Sequence, residues 1–388
     1  RFQPTQLSSY DASFNQPGTV TDAKGNPTTL TYDARGNLQQ VKDAAGAFTF
    51  MSYDGFGHVS AVKDHFGKIT AFGYDPGNGS LTSVTDPLSR TTQMTRDGLS
   101  RVTKNTDPKL KNTFFDYDPA GNLLKVTDHL GGVTSYGYDK GRAGRLLRKV
   151  TDARQQASGR GTLFSYDTQG RLAGVINPLQ KFRTFGYDDK SRLHTINDAF
   201  GQTVLDYDEL DRLKTKTLPN AEGVVTYAYD PIGNLTKVAH PNGSAVEMAY
   251  DELDRLKQTI QTLPNGAKAT IAYDYDANGN RKSMTATFGG FSGTWSYEPD
   301  QLNRLKSVTN PDLKTITFGY NELGQRKRMG LPNGAETTYG YDDAGQLKQI
   351  MHKKGLAPIA SFDYDYDAAG NRTRNLEFTG AGFSTHSY

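Results

Sequence analysis

The sequence predicts an all-β protein in which one hairpin-sized unit is repeated along the whole chain. Three observations carry this. Tyr-Asp pairs recur at near-constant spacing through all 388 residues. Each interval holds two turn signatures, which leaves room for two short strands. Apolar residues alternate with a period of two, as in a strand with one covered face, and not with the 3.6 of a helix.

The pairs begin at Tyr10, Tyr32, Tyr53, Tyr74, Tyr117, Tyr138, Tyr166, Tyr187, Tyr207, Tyr229, Tyr250, Tyr275, Tyr341 and Tyr366. Arg96-Asp97, Tyr297-Glu298 and Tyr320-Asn321 fill the gaps, and Tyr388 falls where the next pair begins. Most of the 17 intervals are 20 to 23 residues; the exceptions are 28 from Tyr138 and 25 from both Tyr250 and Tyr341. These three long intervals are expected to project as loops, the clearest over 140–161 with Gly141, Gly144, Gly159 and Gly161.

The first turn of each unit follows the tyrosine, as in Tyr32-Asp33-Ala34-Arg35-Gly36-Asn37. Asp bonds the backbone two residues on, and a following Gly accepts a left-handed conformation. Gly36, Gly57, Gly121, Gly233, Gly279 and Gly370 are assigned this role. The second turn comes about ten residues later, as in Asp64-His65-Phe66-Gly67, and becomes Pro-Asn-Gly at Pro241, Pro264 and Pro332.

The strand before each tyrosine sets aromatics two apart, for example Phe72/Tyr74, Phe185/Tyr187 and Tyr339/Tyr341. They share one face. Stacked in register they form a ladder, represented by Tyr53, Tyr74, Tyr138, Tyr187, Tyr229, Tyr275, Tyr320, Tyr341 and Tyr366, expected to be mostly buried. The opening strand reads Leu-x-x-Val/Ile, as in Leu38 to Val41 and Leu81 to Val84, which breaks strict alternation and predicts a bulge or strong twist. A lone hairpin is marginal in water, so each unit depends on its neighbours. Residues 1–388 therefore read as one array of about 17 repeats without a separate catalytic domain.

Composition agrees. Mean hydropathy is −0.67, low enough for a disordered chain, yet 22 Tyr and 19 Phe supply buriable surface that disordered chains lack. Lys plus Arg number 45 against 42 Asp plus Glu, without a basic run, which argues against nucleic-acid binding. Cys is absent, so disulfides and thiol chemistry are excluded. No apolar run reaches membrane-spanning length. The chain begins and ends within a repeat and reads as a fragment of a longer polypeptide.

Two strands per interval, at about 4.8 Å each, make a sheet on the order of 160 Å wide. Open sheets rarely exceed ~10 strands without curling. A coiled sheet of that width has a diameter of roughly 50 Å, too wide for side chains to fill, so a spiralling antiparallel sheet forming a hollow shell or tube is expected.

The motif Tyr-Asp-x-x-Gly-Asn-Leu at this spacing resembles the YD repeats of bacterial Rhs proteins, insecticidal toxin-complex C components, wall-associated proteins and animal teneurins. The resemblance runs from Tyr10 to Tyr388. It implies a β-shell that encloses and shields a C-terminal toxin or effector domain of the same polypeptide, secreted or on a bacterial cell surface. An extracellular adhesion or surface-fibre module, binding surface glycans or assembling end to end through neighbouring repeat segments, is the alternative. The Asp-Pro-x-Gly-Leu self-cleavage type of such toxins has only a partial echo in Asp86-Pro87-Leu88-Ser89, inside an ordinary second turn.

Candidate chemistry is sparse. Asp274, Asp276 and Asn278 match the start of a calcium-binding EF-hand loop, but its twelfth position is Thr285 in place of Glu; the stretch is also the repeat's turn preceded by one extra Asp. The Tyr-Asp pairs can be read as sugar contacts, or as a ladder tyrosine followed by a turn aspartate; repetition in nearly every unit favours the latter. The seven His show no metal-binding spacing, and no nucleophile or phosphate-loop motif occurs. A non-catalytic protein that needs no cofactor is expected.

Overall fold

The computed structural model describes residues 5–139, 145–380 and 382–388. Among these it contains 35 strands, from Gln6–Tyr10 to Gly382–Ser387, and two short 3-10 turns, Ala153–Ser158 and Pro219–Ala221. The strands belong to one antiparallel sheet. Sequence neighbours pair: Pro27–Tyr32 lies between Pro17–Thr21 and Leu38–Lys42, and Phe182–Tyr187 between Leu172–Ile176 and Leu193–Asp198. This topology follows from the spacing, because a five- or six-residue strand followed by a tight turn can only return beside itself.

The break in alternation is a bulge. Tyr32 faces Leu38 while Thr31 faces Gln40, so Gln39 is the extra residue. The same shift occurs at Tyr53, Tyr74, Tyr187, Tyr229, Tyr320, Tyr341 and Tyr366. It brings Leu38 and Val41, three apart in sequence, onto the same face as Leu30 and Tyr32.

Two of the long intervals correct the loop expectation. Their extra residues lengthen the strands Leu256–Thr262 and Lys268–Tyr275, and Leu347–Lys354 and Ala357–Tyr366. A longer hairpin satisfies each added backbone group in the ladder, which a loop does not. In the third, residues 140–144, with Gly141 and Gly144, lie outside the described residues. The remainder forms the strand Leu147–Thr151 and the turn Ala153–Ser158, whose first N–H groups bond to Asp152 and which ends at Gly159 with φ of 63°.

The sheet packs thinly. Among the described residues the only buried apolar side chains are Ala47, Val225 and Tyr364. The strand Pro27–Tyr32 alternates exposed and partly buried along its length, with the tyrosine face covered.

Contacts divide the chain into two units. One comprises Arg1–Lys111, Asp274–Met284 and Gly293–Tyr388; the other comprises Asn112–Tyr273 and Thr285–Ser292. In the first, turns of an amino-terminal arm (1–111) meet turns of a carboxy-terminal arm (274–284 and 293–388). Lys68 pairs with Asp343 at 2.6 Å, Lys109 with Asp367 at 2.9 Å and Lys24 with Asp276 at 3.4 Å. Arg90 donates to Gln346 at 2.7 Å, and Asn278 donates to Asp22 at 2.8 Å. Each contact joins a second turn of the amino-terminal arm to a tyrosine turn of the carboxy-terminal arm. The other unit is a run of consecutive hairpins from the strand Asn112–Tyr117 to residue Tyr273, with Thr285–Ser292.

Candidate functional site

The recurring site is the tyrosine and the turn after it. In Asp33-Ala34-Arg35-Gly36-Asn37 the Asp33 backbone N–H donates to the Asn37 carbonyl at 2.9 Å and Gly36 N–H to the Asp33 carbonyl at 3.0 Å. One carboxylate oxygen accepts from the N–H groups of Arg35 (2.8 Å) and Asn37 (2.9 Å), the other from the Asn37 side chain at 3.0 Å. Gly36 has φ of 83°, the conformation assigned to it from sequence, and Gly57, Gly121, Gly233, Gly279 and Gly370 also have positive φ.

The residue four after the Asp supplies the closing donor. Arg171, Arg192, Arg212 and Arg304 do so through Nε at 2.7 Å each, and His58 bonds through Nδ1 at 3.0 Å. These bonds favour the ionised carboxylate. The side-chain hydrogen bond from Arg101 holds Asp97 below its ordinary value, as Arg255 does for Asp251 and Asn122 for Asp118. The pattern was readable in the sequence, because position +4 nearly always carries a side-chain N–H, but the Tyr-Asp pair alone did not show it.

The same residue reaches the next repeat. Arg171 lies over the Tyr187 ring at 4.4 Å, and Arg192, Arg212 and Arg304 over Tyr207, Tyr229 and Tyr320 at 4.6 Å each. His58 stacks on Tyr74 at 4.8 Å. The covered tyrosine then donates its hydroxyl backwards to the first residue of the preceding opening strand. Tyr53 bonds the Leu38 carbonyl at 2.8 Å, Tyr74 that of Val59 at 2.9 Å and Tyr187 that of Leu172 at 2.8 Å. Tyr229, Tyr320, Tyr341 and Tyr366 do the same to Leu213, Leu305, Arg326 and Leu347 at 2.7 to 2.9 Å.

That carbonyl sits beside the bulge, where the ladder is interrupted, so the hydroxyl restores a partner to it. The tyrosine is thus a clasp between repeats as well as a ladder rung. Tyr138 and Tyr275 end their strands in the same place. All nine ladder tyrosines are partly buried, none fully. Burial, with help from the Asp33 carboxylate, pushes the Tyr53 phenol above its ordinary value, and burial does the same at Tyr138, Tyr229 and Tyr341, which keeps these groups donating.

Arg96 shows what the position requires. Its Nε donates to the Leu81 carbonyl at 3.0 Å, the bond a tyrosine makes elsewhere, and another guanidinium N–H donates to the Ser100 carbonyl at 2.8 Å. A long donor is needed; an aromatic ring is not.

Asp274, Asp276 and Asn278 are engaged as turn residues. Asp276 accepts the N–H groups of Asn278 (3.0 Å) and Asn280 (2.8 Å) and the Asn280 side chain (3.0 Å), and Lys24 supplies its positive charge. Asn278 donates to Asp22 and to Asn303, each at 2.8 Å, and Asp274 accepts from the Ser283 hydroxyl at 3.1 Å. Among the described residues no cluster of three or more His, Cys, Asp or Glu has metal-binding geometry. Asp86-Pro87-Leu88-Ser89 is an ordinary turn closed by Arg90, with Ser89 at φ of 61°. Among the described residues no helix is long and apolar enough to cross a membrane.

Comparisons with known proteins place this arrangement. Solved structures described as TcdB2-TccC3-Cdc42 and TcdB2-TccC3 match 98% and 99% of the chain with TM-scores of 0.51 and 0.50, at 15% identity, and thus share its fold. The chain spans 28% and 29% of those chains. A tRNA nuclease, WapA of Bacillus subtilis (strain 168), is 29% identical over 116 residues, which is 25% of this chain and 5% of that protein. The RHS Repeat model matches residues 10–47. The Teneurin YD-shell model matches residues 77–246 and 183–369, jointly well over half of the chain, and the chain belongs to the YD-shell family as a segment of its β-sheet scaffold.

Proposed function

We propose that the chain is the wall of a β-shell that encloses and shields a toxin or effector domain of its own polypeptide, outside or on the surface of the producing cell, and that the wall itself is not catalytic. The observation that carries this reading is the use of the polar groups. Among the chain's most abundant candidate functional groups, tyrosine hydroxyls are consumed in joining one repeat to the next and turn carboxylates in closing their own turns. What they build is an extended sheet with little core of its own.

The relatives support the separation of wall from activity. The match covers 5% of a protein named for tRNA nuclease activity, which leaves ample length for a catalytic domain elsewhere. One solved neighbour is described as TcdB2-TccC3 without its hypervariable C-terminal region, as expected of a fixed scaffold with exchangeable cargo.

The test uses the full polypeptide that carries this array. Any domain following the array is expected to resist added protease while the array is intact. It should become cleavable, and toxic when expressed inside cells, once the array is deleted. Equal protease sensitivity with and without the array refutes enclosure. Activity that resides in the isolated 388-residue chain refutes the non-catalytic reading.

A further inference from the structure

The contacts that join the two arms of the first unit form a seam between turn side chains. Three are ion pairs, Lys24 with Asp276, Lys68 with Asp343 and Lys109 with Asp367, and all six side chains reach solvent. Two are single hydrogen bonds, Arg90 to Gln346 and Asn278 to Asp22. Among the described residues broad strand packing joins only sequence neighbours, so the seam rests on these side chains. Apolar cover is slight. With the seam closed, Phe66, Leu88 and Leu323 beside it stay 50%, 40% and 42% exposed.

Each side of the seam is complete without the other. Asp276 already accepts the N–H groups of Asn278 and Asn280, Asp367 those of Ala369 (2.8 Å) and Asn371 (3.0 Å), and Asp22 those of Lys24 and Asn26 (2.9 Å each). Arg90 holds Asp86 through Nε at 2.6 Å. Asp343 follows Asp342, the aspartate that closes its turn, and is 47% exposed. Parting the arms therefore returns the lysines and Asp343 to water and leaves Asp22, Asp276 and Asp367 satisfied in their own turns. The tyrosine clasp is the opposite case, because its hydroxyl and its acceptor carbonyl are partly buried and join consecutive hairpins.

We propose that the seam is an ion-gated joint: raised ionic strength parts the two arms of the first unit while their hairpins stay folded. Exposed ion pairs are individually weak and are screened by salt, with a Debye length of about 10 Å at ~0.1 M and about 3 Å at ~1 M. The seam weakens across that range. The ladders and clasps, made of backbone hydrogen bonds and partly buried contacts, are screened far less. The joint does not depend on what the array encloses. Where the array is a wall, a consequence that rests on the proposed function, the seam is a line along which that wall opens without unfolding.

Double electron–electron resonance on the full chain tests it. The sequence has no Cys, so introduced pairs are the only labelling sites. Leu110→Cys with Ala368→Cys places spin labels beside Lys109 and Asp367, one on each arm. Leu99→Cys with Leu110→Cys labels the two ends of the strand Val102–Thr106 within one arm. The inter-arm distance is expected to be single and short at ~0.1 M salt and to gain a longer population at ~1 M. The within-arm distance and the far-ultraviolet circular dichroism spectrum should stay unchanged. Lys24→Glu, Lys68→Glu and Lys109→Glu combined should give the longer population already at low salt. An inter-arm distance that neither salt nor the triple variant changes overturns the proposal, as does one that is already broad in the parent at low salt. So does lengthening that comes only with loss of the β-sheet spectrum, which makes parting and unfolding one event.

Discussion

Replacing Tyr187 by Phe and by Ala separates the two roles assigned to the ladder tyrosines. Phe keeps the ring, and with it the contact to Arg171 at 4.4 Å, but removes the hydroxyl that donates to Leu172 at 2.8 Å. A typical protein hydrogen bond contributes about 1 kcal/mol, and a carbonyl that can regain water costs less when unpaired than a fully buried one. Tyr187→Phe should therefore destabilise by about 0.5–1.5 kcal/mol. Ala removes the ring as well. Truncating a fully buried aromatic costs about 3–5 kcal/mol; Tyr187 is only partly buried, which lowers the expected loss to roughly 2–4 kcal/mol, including the hydroxyl. Urea denaturation followed by circular dichroism gives the totals. Hydrogen exchange by mass spectrometry gives their reach: protection should fall in peptides covering 162–198 and stay at wild-type level in those covering 27–63, because contacts in a repeat array are local. If Phe costs as much as Ala, the hydroxyl and not the ring is the dominant link. If neither variant shifts the midpoint, the clasp does not stabilise the array.

Arg96→Ala should destabilise by about 1–2 kcal/mol through loss of two charge-assisted hydrogen bonds to carbonyls, whereas Arg96→Tyr should restore most of the stability; denaturation midpoints of the three proteins decide it. Ser100 holds φ of 61°, a left-handed conformation that costs an L-residue roughly 1 kcal/mol and that Gly adopts freely, so Ser100→Gly should raise the thermal midpoint. The turn aspartates make stability acid-sensitive. Hydrogen bonds from Arg101, Asn122 and Arg255 depress Asp97, Asp118 and Asp251 in the folded chain, and at Asp22 hydrogen bonds from Asn26, Asn278 and Lys24 outweigh desolvation and bring the value down to about 2. A depressed folded value means that the stabilisation is complete above the ordinary carboxylate range, near 3.9, and is lost as pH falls through the folded values. Stability should hold from neutral pH to about pH 5 and then decline. Asp97→Asn should flatten that decline, and a chain equally stable at pH 7 and pH 3 contradicts the assignment.

The sequence by itself determined the repeat, its hairpin topology, the turn glycines and the face on which the tyrosines lie. These are local properties. A two-residue period fixes which side chains share a face, and a Gly after an Asp turn fixes where the chain reverses. It also marked the strand whose Leu-x-x-Val spacing calls for a bulge or strong twist, and the register of Tyr32 against Leu38 makes it a bulge. What the tertiary structure decided depends on atoms that the repeat spacing does not bring together on paper. The tyrosine hydroxyl's partner is a carbonyl 15 residues back, Leu172 for Tyr187, identifiable only once the neighbouring hairpin is in register. The 25-residue intervals from Tyr250 and Tyr341 gave no local sign of whether they bulge out or pair, and pairing prevailed because a ladder satisfies backbone groups that a loop leaves to water. The seam of the first unit was beyond reach of sequence altogether. Lys68 and Asp343 lie 275 residues apart, and they meet only because twist and bulge, accumulated hairpin by hairpin, return one arm of the unit to the other.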